Sequence, residues 1–139
     1  EKGVILLAGH ISQVEHLLAR LTQEMRDTVI ASWSNRSPTE RATTWLLPAS
    51  EDIPAWIKGN HPKVAIRVTT HPLCVALCNA FNGFIVSTSA NPAGLEPARS
   101  LQEAHKYFNH HLTYLNGDLG LSQEPSRILD AETGQIIRA

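Results

Sequence analysis

The stretch that most constrains this chain is Phe84-Ile85-Val86-Ser87-Thr88-Ser89-Ala90-Asn91-Pro92-Ala93-Gly94. An apolar, β-branched run stops at three small hydroxyl residues and then at Asn, Pro and Gly, the profile of a buried strand ending at a surface. Ser87, Thr88 and Ser89 bring little volume and several donors to that end. Backbone N–H groups at a strand-to-turn switch, beside short hydroxyls, suit anionic oxygens. An ordinary polar turn has the same composition. The chain must therefore build a sheet, one end of which is either a plain turn or an anion cradle.

At 139 residues, 42% hydrophobic and 18% charged, the chain fits a single soluble domain, 1–139, with a proper core. A formal net charge of −1 supplies no whole-molecule pull toward nucleic acid or anionic membrane. No apolar run is long enough to span a bilayer, and no signal-peptide pattern is present. Two cysteines make no disulfide framework, and the cytoplasm is the expected compartment. Glu1-Lys2-Gly3 leads straight into Val4-Ile5-Leu6-Leu7, a beginning expected of a fragment or a processed chain.

Val4–Leu7 reads as a central strand buried on both faces. Ser12 and Glu15 form a capping-box pattern, and Val14, Leu17, Leu18 and Leu21 follow at helical spacing. A second helix is predicted to Trp33 with Met25, Val29 and Ile30 inward, then an exposed polar loop from Ser34 to Arg41. Thr43–Leu47 is the next strand, closed by Pro48, and Ser50–Ile57 a short helix with acids at its start.

Lys63–Val68 alternates, with Val64, Ile66 and Val68 on one side and Lys63, Ala65 and Arg67 on the other. Arg67 is either an edge-strand charge facing water or a fixed guanidinium in a cleft, able to grip a carboxylate or phosphate through two bonds. His71-Pro72 opens a helix with Leu73, Ala76, Leu77 and Ala80 as its buried stripe and Asn82-Gly83 as its stop. Cys74 and Cys78 share a face of it; two small buried thiols account for them better than a metal site with His71. The order strand 63–68, helix 71–81, strand 84–87 predicts a parallel βαβ pairing. Ser100 and Glu103 cap a helix through Phe108, and Arg127–Asp130 with Gln135–Arg138 reads as a closing hairpin.

Three segments then align: Val64-Ala65-Ile66-Arg67-Val68-Thr69-Thr70-His71-Pro72, Ser87-Thr88-Ser89-Ala90-Asn91, and Pro125-Ser126-Arg127-Ile128-Leu129-Asp130 with Arg138 beyond. Their order and spacing resemble the YrdC/TsaC family, the threonylcarbamoyl-AMP synthases, over nearly the whole chain. The resemblance implies an α/β fold, a twisted mixed sheet with flanking helices around a concave cavity, here lacking the N-terminal part of the family fold. It implies a nucleotidyltransferase that makes threonylcarbamoyl-AMP and pyrophosphate from L-threonine, bicarbonate and ATP, with Mg²⁺, for tRNA modification by partner proteins. Carried over by motif, Arg67, Ser87 and Ser126 would bind threonine. Ser89, Asn91, Arg138 and Lys63 would form the ATP site, with Lys2 at the cavity mouth. No residue is implied as a nucleophile, and neither Ser87 nor Ser89 lies in a Gly-x-Ser-x-Gly elbow.

The family's upstream Pro-Thr-[Asp/Glu]-x-[Val/Thr]-[Tyr/Phe]-Gly stretch and Lys-x-Arg motif have no counterpart here, and segment 34–43 replaces a compact Trp-Pro-Gly-Pro turn, although Trp33 and Thr44 keep their places. These 139 residues alone are therefore expected to be inactive or nearly so and to expose apolar surface. An RNA-binding module using Lys58, Lys63, Arg67, Arg99 and Arg138 is the alternative from a different class, and a domain of the same fold without activity is the third.

Overall fold

The computed structural model describes residues 4–51 and 53–139. They divide into two compact units: the described residues up to Ser87 together with Gly120–Ala139, and Thr88–Leu119. The first unit holds six strands, β1 (Ile5–Ala8), β2 (Thr43–Pro48), β3 (Lys63–Val68), β4 (Ile85–Ser87), β5 (Arg127–Asp130) and β6 (Ile136–Arg138). Its helices are α1 (Glu15–Leu18), α2 (Gln23–Ser34), α3 (Ala55–Lys58) and α4 (Pro72–Phe81). The strands form one mixed sheet in the order β4-β1-β3-β2-β5-β6. A mixed sheet with flanking helices is the architecture the sequence predicts.

One face of this sheet carries the core. Leu6, Ala8, Trp45, Leu47, Val64 and Ile66 alternate onto it and pack with Val14, Leu17, Leu18, Val29 and Trp33 of the helical layer. The apolar spacing read in the sequence puts the right side chains there, as does the alternation along β3. Two indoles stitch the layers: Trp33 Nε1 donates to the Thr43 carbonyl at 3.0 Å, and Trp45 Nε1 to Ser32 Oγ at 2.8 Å.

Five expectations need correction, the first being the buried strand read after Phe84, since β4 is an edge strand with no fully buried residue. β3 and β4 are not a parallel pair: β1 lies between them, parallel to β3 and antiparallel to β4. β4 therefore starts at the end of the sheet where β3 stops, so α4 does not have to run back down a face as a parallel crossover must. The buried line of α4 is Cys78 with half-buried Leu73, Cys74 and Val75; of the expected stripe Leu73 is thus covered, while Ala76, Leu77 and Ala80 are exposed. Cys78 sits against the end of β1, its Sγ 3.6 Å from the Leu7 carbonyl; burial pushes its thiol pKa up. There, a Cβ added at Gly9 would lie 2.9 Å from Cys78 Cβ, so the approach of helix to strand requires glycine.

Ser12 does not cap the first helix. No side chain does: Val14 stands at its N-cap without a side-chain hydrogen bond, and the capping box lies one turn earlier, where His10 Nδ1 accepts from the Ser12 N–H at 3.1 Å and Gln13 Oε1 accepts from the His10 N–H at 3.3 Å. A 3₁₀ turn over Ile11–Gln13 precedes the single turn of α1. The helix expected from Ser50 forms only at Ala55–Lys58, after Pro54, because proline suits the position before a helix but not its interior.

The second unit holds α5 (Leu101–Phe108), capped by Ser100 Oγ, which accepts from the Glu103 N–H at 3.1 Å. Glu103 Oε2 in turn accepts from the Arg99 N–H at 2.7 Å. Tyr114 stacks on His105, ring centroids 3.8 Å apart, and folds residues 109–114 back on the helix. No residue of Thr88–Leu119 is fully buried.

Candidate functional site

The site face is the sheet face opposite the core, and strand register decides who is on it. Residues directly opposite one another on paired strands point the same way, and so do residues two apart on one strand. Ile5 pairs with Ala65 on one side and Ser87 on the other; Leu7 pairs with Arg67 and Ile85. Arg67 and Ser87 therefore share a face. Trp45 opposes Ile66, so continuing that antiparallel register by one residue sets Thr44 beside Arg67. Thr44 opposes Ile128, and Ile128 opposes Arg138.

The result is one row across the six strands: Ile85, Leu7, Arg67, Thr44, Ile128, Arg138. Arg67 and Arg138 stand three strands apart in it, about 14 Å between Cα atoms at the usual strand spacing. Two guanidiniums at that separation can bracket a ligand carrying two anionic groups.

Their states differ. Arg67 is half-buried and has no hydrogen bond or ion pair to any described residue, and its Nε is buried without a partner. Burial lowers its pKa; the nearby Cys74 thiol opposes that shift, and the charge of Arg36, in the loop after α2, adds to it. A desolvated cation left unpaired is costly, and an anion is what relieves the cost. Arg138 is engaged: its Nε and Nη2 donate to the Ser126 carbonyl at 3.0 and 2.6 Å, and Nη2 also reaches Ser126 Oγ at 3.2 Å. Ser126 Oγ lies 2.8 Å from Thr44 Oγ1, which brings the serine hydroxyl onto the Arg67 face.

Lys63 shares this face too, but its Nζ is held by Asp130 Oδ2 at 2.6 Å and Glu132 Oε1 at 3.3 Å. The hydrogen bond to Asp130 is the main cause that raises the lysine pKa. Burial pushes the Asp130 pKa up, and the hydrogen bonds from Lys63 and from the Glu132 and Thr133 N–H groups bring it down below its ordinary value. Lys63 thereby anchors the β5–β6 hairpin that carries Arg138.

Ser89 and Asn91 belong to the second unit. Asn91 N–H donates to the Ser89 carbonyl at 3.0 Å and Asn91 Nδ2 to the Pro92 carbonyl at 3.0 Å. Its Oδ1 is buried without a partner. Lys2 lies outside the described residues. The first unit thus brings Arg67, Ser87, Ser126, Arg138 and Lys63 to one face of one sheet.

Sequence reasoning placed Thr44 in a strand without giving it to the site. The usable signal was its parity: Thr44, Leu46 and Pro48 alternate against the core residues Trp45 and Leu47. Among the described residues no three His, Cys, Asp or Glu converge as metal ligands. No helix among them is long and apolar enough to cross a membrane.

The Sua5/YciO/YrdC family model, described as "Telomere recombination", matches residues 1–139. A threonylcarbamoyl-AMP synthase of Acinetobacter baumannii is 71% identical over 138 residues, which cover 99% of this chain and 73% of the relative. Another from Hahella chejuensis is 44% identical, covering 99% and 72%. Among solved structures, P. abyssi Sua5 with the substitutions H234A/Y235A superposes with a TM-score of 0.76 at 20% identity, over 96% of this chain and 40% of that one. P. abyssi Sua5 complexed with L-threonine gives 0.75 at 24%, over 93% and 36%. These structural likenesses show the fold.

Proposed function

Because the chain belongs to the Sua5/YciO/YrdC family, we propose that it carries the threonylcarbamoyl-AMP synthase reaction: L-threonine, bicarbonate and ATP to threonylcarbamoyl-AMP and pyrophosphate. The observation that carries this reading is the unpaired, half-buried guanidinium of Arg67 facing the same way as Ser87 and Ser126. Its partner in this reading is the threonine carboxylate, and the relative solved with L-threonine supports the choice of ligand. Ser126 holds the amino acid beside it, and a main-chain group at Ser87 completes that contact. Ser89 meets the nucleotide phosphates over a turn shaped by Asn91, Arg138 serves the ATP side, and Lys63 serves it by holding the hairpin of Arg138. Lys2 is assigned to the cavity mouth.

The chemistry asks for positioning and charge stabilisation. A carbamate oxygen of N-carboxythreonine attacks the α-phosphorus of ATP, the bond from that phosphorus to the bridging oxygen breaks, and pyrophosphate leaves. Negative charge spreads over the phosphoryl oxygens, where guanidiniums, hydroxyls and N–H groups are effective. The described residues offer no acidic cluster for an ion of their own, so Mg²⁺ would enter on the nucleotide's phosphates. The product would pass to tRNA-modification partners in the cytoplasm, a compartment that suits the free thiols Cys74 and Cys78. The RNA-binding alternative finds less support, since Lys63 is ion-paired and Arg138 is bound to Ser126.

The test is pyrophosphate release by the gene product at its full encoded length, with threonine and bicarbonate present and with each omitted. Release that needs both supports the reading, and release indifferent to threonine overturns it.

A further inference from the structure

We infer that Thr44 is a positioning residue that turns the Ser126 hydroxyl proton toward the bound amino acid, an inference that rests on the threonine-binding reading above. Thr44 is wholly buried, yet its hydroxyl has a single partner among the described residues, Ser126 Oγ at 2.8 Å. A hydroxyl owns one proton and two lone pairs. If Ser126 donated to Thr44, the Thr44 proton would be buried with no acceptor, a state folded proteins avoid. Thr44 is therefore the donor. Arg138 Nη2 donates to the same Ser126 oxygen at 3.2 Å. Both lone pairs of Ser126 Oγ are then occupied from the protein side, and its own proton is the one group left over. Ser126 is only half-buried, so that proton can meet a ligand. The arrangement makes Ser126 a dedicated donor, and its ligand atom must be an acceptor: a carboxylate or carbamate oxygen, never an ammonium.

The sequence alone gives Thr44 no such role, because its partner is 82 residues away. Register brings them together: Thr44 shares the site face with Ile128, and Ser126 precedes Ile128 by two residues.

The experiment compares Thr44→Val, Thr44→Ser and Ser126→Ala, singly and with Thr44→Val/Ser126→Ala, in the full-length protein. Valine keeps the size and removes the donor, and serine keeps the donor. The expected result is a KM for L-threonine raised about tenfold or more in Thr44→Val, as for loss of a hydrogen bond to a charged group. The KM for ATP stays within about twofold, and Thr44→Ser stays close to the unsubstituted protein on the same scale. In the Ser126→Ala background Thr44→Val is expected to add nothing, since its effect runs through that hydroxyl. A purely structural role would lower Tm without the threonine-specific rise in KM and would add to Ser126→Ala; either outcome overturns the inference while leaving the function intact. If the unsubstituted protein does not bind threonine, the function reading falls and the inference with it. Should Thr44→Val not fold, Thr44→Cys, of similar size with only a weak donor, carries the same comparison.

Discussion

At the scale of single residues, Arg67 has no partner among the described residues while Lys63 is tied down. Arg67 costs folding free energy in the free protein, because burial strips its hydration and no acid among the described residues replaces it. Arg67→Met is therefore expected to leave the Tm of the ligand-free protein unchanged or raise it, while abolishing the rise in Tm that L-threonine produces. Differential scanning fluorimetry with and without threonine reads both, and a destabilised variant that still responds to threonine contradicts the assignment. Lys63 and Asp130 behave oppositely. The Asp130 pKa is held below its ordinary 3.8, so its contribution is present above that pH and lost as pH falls through the lowered value. The Lys63 pKa is held above its ordinary 10.5, so its contribution is present below that pH and lost as pH rises through the raised value. Asp130→Asn should cost about 1.5–3 kcal/mol at neutral pH, the range for charged hydrogen bonds. Urea unfolding at pH 7 and at pH 3 should show that deficit shrinking on the acid side.

Elements are where sequence and structure part company in instructive ways. β3 is legible to the residue, because Val64 and Ile66 alternate cleanly with Ala65 and Arg67 and each choice agrees with burial. That same alternation places Arg67 away from the core. α4 is not legible beyond its ends. His71, Pro72 and the left-handed Asn82 mark it, but between them apolar side chains occupy every face, so periodicity cannot choose the buried stripe. The tertiary approach of Gly9 chooses Cys78 instead. Pairing of β4 was invisible for a different reason: β1, distant in sequence, takes the slot between β3 and β4. The contact between α2 and β2 offers a clean test of element packing. Ser32 Oγ accepts from the Trp45 indole at 2.8 Å and donates to the Val29 carbonyl at 2.6 Å. Ser32→Ala leaves a buried indole N–H without an acceptor and should cost about 1–3 kcal/mol in urea unfolding. In a Trp45→Phe background, with no N–H to satisfy, the same substitution should cost much less.

The whole molecule divides its stability unevenly, and that division bears on how a nucleotide would be held. Every fully buried residue among those described lies in the unit built on the sheet, and none lies in Thr88–Leu119. Large apolar side chains in that second unit, Leu95, Leu101, Leu112, Leu115 and Leu119, are between 42% and 67% exposed, so burial contributes little there. Phe81 and Val86, in the sheet unit, are exposed as well. Local opening free energies follow buried contacts, so amides of α5 should exchange with solvent far sooner than those of β1 and β3. Trypsin should likewise cut first after Arg99 or Lys106. Ser89 and Asn91, assigned to the nucleotide phosphates, sit in this same weakly buried unit. A ligand that binds only the ordered form shifts the opening equilibrium by RT ln(1 + [L]/Kd). ATP at about one hundred times its Kd should therefore slow cleavage at Arg99 and Lys106 by about one hundredfold where opening is rapid. Mass spectrometry of timed digests reads the two sites directly. Protection of unfolding from the sheet unit alone, with Arg99 and Lys106 cut as fast as without ATP, would take Ser89 and Asn91 out of the nucleotide site and leave Arg138 to hold it from the sheet.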